Sequence, residues 1–377
     1  MATSENFSKK NLKHRSLEVV TKSGSSPEIR TLLKETIFGT KGKVRYQQRN
    51  IEEGINAQKN IKFIQIKKRD QILGTTGVVT RLTSGLEGNI KSLYIRYLSV
   101  KNPFRKKEKK RLSQANSVNK KSSSFLKKMI GDEITNHFEN PICKSNEKAA
   151  FYAFVESENF NSKELCISLG FNPTRKISTL LFSRFYPKKT SSISLVQDSD
   201  KDEIRKRLAS FYKNHSFYFQ DDLFESGTYF VMKEEGKLLA GLRCKTVNWD
   251  IVEVPGVSGF FMQNILPYLP FTRKLFNPKN LYFLAFDHIW TSETGSSNIV
   301  TLMEHACSDF GIHLGMFWED SESKLINELK KSKSLGFLHR IKGEVAADVM
   351  LRFINMNNQD QTELLKKPVF VSALDMT

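Results

Sequence analysis

No run of about twenty consecutive apolar residues occurs in this 377-residue chain, so no segment reads as a membrane-spanning helix. The first residues, MATSENFSKKNLKHRSLEVV, carry charge without a continuous apolar stretch and do not read as a secretory signal. Cysteine is scarce. Cys143, Cys166, Cys244 and Cys307 stand far apart with no CxxC spacing, which argues against a disulfide frame or a thiolate zinc site. Scattered thiols of this kind fit a reduced, cytoplasmic protein. The seven histidines form no HExxH or other paired spacing, so no metal is expected. Acidic residues are also in deficit: 40 Asp and Glu face 59 Lys and Arg, a net charge of +19. That balance points to an anionic partner, whether a nucleic acid, an anionic membrane surface or a small polyanion, and says nothing about fold.

What is present is enough to build two cores. The hydrophobic content is 39% with 11% aromatic residues, well above that of a disordered chain, and the length exceeds one ordinary domain. Residues 1–15 read as a flexible basic tail. A strand is expected at 16–21, a helix at 27–35 behind Ser25-Ser26, and a basic loop at 39–50. Strands follow at 61–66, 71–79 and 91–100, with a glycine turn at 85–88. Residues 122–138 carry helical spacing.

Residues 148–184 are the most ordered signal. The apolar run 149–155 reads as a central strand. Asn161 and Glu164 resemble a capping box, and Ser162, Leu165, Cys166 and Leu169 fall on one helix face. Gly170 then ends the helix and Pro173 prevents its resumption. Residues 187–193 read as a polar linker, after which the order of elements restarts. A strand at 194–196, a helix at 202–215, a hairpin across Glu234-Glu235-Gly236, a strand at 280–290, a helix at 295–310 and Leu335-Gly336-Phe337 repeat the first pattern. The boundaries expected are therefore 16–186 for a first unit and 194–377 for a second. Residues 255–278 stand out as an insertion whose Phe260, Phe261, Phe271 and Phe276 suggest an apolar pocket.

The pattern Asn159-x-x-Ser162-x-x-Leu165-Cys166-x-x-Leu169-Gly170-Phe171 resembles the late strand–helix motif of the GNAT acyltransferase superfamily. The resemblance implies an α/β (α+β) fold of two tandem GNAT-like units, each a mixed, mostly antiparallel central sheet flanked by helices. It also implies an acyl-coenzyme A-dependent N-acyltransferase that uses acetyl-CoA as donor and an amine on a small molecule or peptide as acceptor. By the same resemblance Leu98, Ser99 and Val100 would offer strand backbone to the thioester and pantetheine, and Asn159 and Ser162 would lie beside the pantetheine arm. The chain departs from the family after that strand. No glycine occurs between Gly88 and Gly131, and Arg105, Lys106 and Lys107 stand where a phosphate-wrapping glycine loop is usual. Lysines and arginines can neutralise phosphate, but as mobile charges rather than a backbone cradle. Cys166 takes the place of the family's tyrosine acid, with Tyr152 as an alternative acid. No residue stands out as the general base: Glu156 and Glu158, at the strand end near the expected cleft, are candidates, and Asp287-His288 of the second half is another. A catalytically degenerate module that binds a polyanion such as nucleic acid is the competing reading.

Overall fold

The computed structural model describes residues 17–101, 119–270, 272–292, 296–331, 333–342 and 345–376. The expected tail and Arg105, Lys106 and Lys107 lie outside these residues.

Local chemistry accounts for most of the first half. After strand β1 (Leu17–Ser23), the Ser26 hydroxyl accepts from the Ile29 amide and Pro27 opens helix α1 (Pro27–Lys34). That helix buries Ile29, Leu32 and Leu33. Strand β2 (Arg45–Gln48) and helix α2 (Ile51–Asn56) follow. The antiparallel meander β3 (Ile61–Lys68), β4 (Gln71–Ser84) and β5 (Asn89–Val100) comes next. Helices α3 (Asn119–Ile134) and α4 (Asn140–Ser145), joined by a π turn at Thr135–Glu139, carry the chain back to β6 (Ala149–Glu156). Strand β6 lies parallel to β5, and its apolar sequence AAFYAFVE suits a strand with neighbours on both sides. Helix α5 (Phe160–Ser168) and strand β7 (Asn172–Ser183) complete the set.

The second half repeats the order. It runs through β8 (Ile193–Leu195), α6 (Lys201–Phe211), β9 (Thr228–Glu234) and β10 (Lys237–Glu253). It continues with α7 (Gly256–Asn264), β11 (Leu281–Thr291), α8 (Ser297–Phe310), β12 (Leu314–Asp320) and α9 (Lys324–Lys331). It ends with α10 (Phe337–Lys342), β13 (Val345–Ile354), α11 (Asn358–Lys366) and α12 (Ala373–Met376). Both Leu-Gly-Phe triplets place their glycine in the left-handed region, Gly170 at φ 84° and Gly336 at φ 99°. The clash at Gly336 would be severe for any side chain, because a Cβ there would lie 2.1 Å from the Ser183 carbonyl oxygen.

One 13-stranded sheet runs through both halves in the order β1-β3-β4-β5-β6-β13-β7-β12-β11-β10-β9-β8, with β2 added on β10. The halves exchange their last strands. β13 of the second half pairs with β6, and β7 of the first half pairs with β12. The parallel pairs show the repeat at residue level. β5 and β6 pair up to Ile95 and Ala153, and Tyr97, two residues on, has φ 56°. β11 and β12 pair up to Phe286 and Phe317, and His288, again two residues on, has φ 46°. At each place β5 or β11 bulges against its antiparallel neighbour and then parts from its parallel one.

Three stretches depart from the sequence expectation. Residues 39–50 are not simply a loop: β2 pairs with β10 around Gln48 and Trp249, and the Tyr46 ring stacks 3.7 Å from that of Trp249. A four-residue strand with one buried residue has no periodicity to read, and its partner lies about 200 positions away. Helix α5 is capped by Asn159 rather than Asn161, its Oδ1 accepting from the Ser162 amide at 3.2 Å. The insertion 255–278 forms α7 and two 3-10 turns.

Candidate functional site

Beyond Ile95 and Ala153 the two parallel strands splay, and among the described residues no strand pairs the β6-facing edge of residues 96–100. A cavity of about 710 Å³ opens in this cleft. It continues across β13, β7 and β12 to the β2–β10 ribbon and the inner side of α7. The cleft end is polar. Thr36 and Ser99 share a hydroxyl–hydroxyl hydrogen bond of 2.5 Å. Arg96 donates to the Leu374 carbonyl and stacks on the Tyr97 ring at 3.9 Å. The far end is an apolar hall lined by Leu181, Trp249, Ile251, Met262, Phe276 and Trp318.

Most residues expected from the sequence meet here. Leu98, Ser99 and Val100 line the cleft from β5, and Asn159, Ser162 and Cys166 line it from α5. Burial pushes the Cys166 thiol up to about 11, so it stays protonated at neutral pH. Glu156 closes β6 at the cleft, its carboxylate accepting from the Thr40 amide at 3.0 Å and the Thr40 hydroxyl at 2.5 Å. Tyr152 is placed differently. It is buried behind the wall, stacked between Tyr94 and Phe217, with its hydroxyl 3.5 Å from Asp375. Desolvation holds that phenol far above its ordinary value, and the residue does not line the cavity. Tyr152 shares its strand face with Phe154 and Glu156, but it lies in the stretch where β6 is still paired with β5, short of the point at which the cleft opens.

Sequence reasoning missed Thr36, Arg96, Trp249 and Asp375, all of which reach the cavity. Asp375 is locked to Arg81 by two hydrogen bonds of 2.8 and 3.0 Å, a buried pair separated by 294 positions. No local spacing could have indicated it. Glu35, Glu156 and Asp375 are the carboxylates that line the cavity.

The matching cleft of the second half is filled. Tyr212 donates to the Ile289 carbonyl of β11, and the Val369 amide donates to Asp320 of β12. Tyr212, Tyr218, His288 and Phe370 pack ring against ring between them. Glu319 is buried in the same place, and desolvation, with Asp320 next to it, raises its carboxyl to about 8. His215 lies 4.0 Å away, lowered to about 4 by burial, so this buried pair is neutral near pH 7. A carboxyl raised on folding contributes stability that is fully present below about pH 4.5 and lost as pH rises towards 8. Glu319→Gln is therefore expected to stabilise the fold by a few kcal/mol at pH 8 and to leave it little changed at pH 4. Urea unfolding at the two pH values measures this.

A strand edge that ends its pairing inside a cavity is the feature a pantetheine arm needs, because its amides can complete the missing ladder. The residues present therefore fit a coenzyme A thioester. No protein-family model matches the sequence, and no curated protein matches it. Among solved structures, N-myristoyltransferase of Saccharomyces cerevisiae with bound myristoyl-CoA is similar over 95% of this chain and 89% of its own, at TM-score 0.56 and 10% identity. The same yeast enzyme with myristoyl-CoA and inhibitors gives TM-score 0.57 and 11% identity over 95% of this chain and 87% of its own. At such identity the likeness shows the fold alone, a mixed, mostly antiparallel sheet flanked by helices that runs through both halves of the chain.

Proposed function

We propose that the chain is an acyl-coenzyme A-dependent N-acyltransferase in which the first unit holds the donor and the hall receives the apolar part of an amine acceptor. The observation that carries this reading is the single cavity that joins an unpaired strand edge to an apolar hall. The second unit's filled cleft supports assigning the donor to the first.

Coenzyme A supplies the acyl thioester, and the protein supplies orientation and proton handling. The backbone of residues 98–100 and the capped turn at Asn159 and Ser162 position the donor, while Arg96 adds fixed positive charge beside the reacting carbonyl. The amine attacks the carbonyl, the C–N bond forms, and the C–S bond breaks with its electron pair leaving on the coenzyme's sulfur, which takes up a proton from solvent. Glu156 takes the amine proton, its carboxylate oriented by the two Thr40 hydrogen bonds. Cys166 serves as wall rather than acid. At about 11 its thiol is a weaker acid than an ordinary thiol of pKa about 8.5, so it has no driving force to protonate the departing one. Arg105, Lys106 and Lys107 follow β5 in sequence and are proposed to neutralise the coenzyme's phosphates.

Acetyl is the proposed donor group, and the hall is far larger than an acetyl group requires. The apolar lining favours one second reading: the hall takes a long acyl chain, as the yeast structures bind myristoyl-CoA. Incubating the full chain with decylamine and either acetyl-CoA or myristoyl-CoA, followed by mass spectrometry of the amide, separates the two. Acetyl amide as the faster product supports the acceptor hall, and myristoyl amide moves the hall to the donor. No amide with either donor overturns the catalytic reading.

A further inference from the structure

Helix α7 is the wall of the hall on one side and bare on the other. Its Met262 and the adjoining Leu266 are buried in the core, while Val257 is 88% exposed, Phe260 63% and Tyr268 82%. Phe261 and Leu269 extend the same exposed face. Residues 254–272 contain no Asp, Glu, Lys, Arg or His, in a chain that is 26% charged. Exposed apolar faces of this kind on a monomer mark a contact surface.

The charges at the border say what the contact is. Arg273 and Lys274 follow directly, both exposed, and Lys279 lies a few positions on. Among the described residues neither Arg273 nor Lys274 makes an ion pair. Together with Tyr268 and His313 they line an open pocket of about 720 Å³ beside the apolar face. An apolar, aromatic-bearing helix edged by unpaired cations is the pattern of a segment that lies in the headgroup layer of an anionic bilayer. A second copy on this face would bring two cationic rims together in chains that each carry +19. No helix among the described residues is long and apolar enough to cross a membrane, so the contact is interfacial.

We propose that α7 and the turns after it dock the protein on an anionic lipid surface, with the side chains of Val257, Phe260 and Tyr268 in the headgroup layer and Arg273 and Lys274 on lipid phosphate and carboxylate groups. The hall then lies directly beneath the docked helix, which gives apolar molecules in the bilayer a short path to it. The docking itself does not depend on the acyl-transfer reading.

Co-sedimentation of the full chain with phosphatidylcholine vesicles, with and without phosphatidylserine, tests this. The wild type is expected to bind the phosphatidylserine vesicles and to release with salt. The combined Val257→Ser, Phe260→Ser and Tyr268→Ser variant is expected to bind about tenfold or more weakly at an unchanged melting temperature. Val257→Ser alone gives a smaller loss of the same sign and covers the case in which the triple variant misfolds. Arg273→Gln with Lys274→Gln is expected to remove the preference for phosphatidylserine. Failure of the wild type to bind, or equal binding by the wild type and the serine variants, overturns the proposal. So does a concentration-dependent dimer in sedimentation velocity that the serine variants abolish, because the face then belongs to a second copy.

Discussion

Asp287→Ala is expected to destabilise the fold by about 3–5 kcal/mol, read as a fall in the urea midpoint. Asp287 takes two hydrogen bonds of 2.7 Å from the Arg243 guanidinium, one of 2.9 Å from Ser372 and one of 2.8 Å from the Ala373 amide. Arg243 in turn reaches Asp222, so four segments, at residues 222, 243, 287 and 372–373, meet on one buried ion pair. Truncating the acid leaves Arg243 buried with only Asp222 to answer its charge, which is the costly way to break such a pair. Replacing both partners, as Arg243→Met with Asp287→Leu, removes the stranded charge and is expected to cost much less. Equal losses in the single and double variants would show that packing, not charge, sets the value. Burial alone would raise the Asp287 carboxyl, but Arg243 and His288 override it and hold it well below the usual range. A carboxyl depressed on folding contributes stability that is present above its ordinary value of 3.8 and lost as pH falls below it. The acid arm of the wild-type stability profile is therefore expected to flatten in the double variant.

Glu156→Gln is expected to lower kcat by about 10²–10⁴-fold with little change in KM for the acyl donor, the range set by loss of a general base. Gln keeps the shape and can still accept from Thr40, so the loop at Thr40 is expected to stay in place. Thr40→Ala separates orientation from chemistry: it should lower kcat less than Glu156→Gln does. A Gln variant with wild-type kcat would take Glu156 out of the reaction.

The fold was readable where the chain states it locally. The serine cap and proline of α1, the Glu235-Gly236 turn between β9 and β10, and the two Leu-Gly-Phe helix ends all rest on contacts within a few residues. Strand exchange was not readable. β13 and β7 are apolar strands wherever they pair, and nothing local tells which half they join. The cleft divides in the same way. Asn159, Ser162 and Cys166 came from one motif, and Leu98, Ser99 and Val100 from the strand assigned with it. Arg96, Trp249 and Asp375 enter through pairings across the whole chain and carry no spacing of their own. Tyr152 illustrates the limit within an element. Its strand was legible, but the point where β6 parts from β5 was not, and the tyrosine falls within the stretch that is still paired.

The proposal rests on a coenzyme A thioester occupying the cleft between β5 and β6, and the melting temperature of the full chain with acetyl-CoA tests that most directly. At about one hundred times its Kd, a ligand that binds only the folded chain adds about 2.7 kcal/mol, a rise of about 3 °C for a protein this long. Acetyl-CoA is expected to produce that rise, and AMP alone, which lacks the pantetheine arm, is not. A melting temperature that stays fixed across the whole titration would contradict the assignment of the cleft.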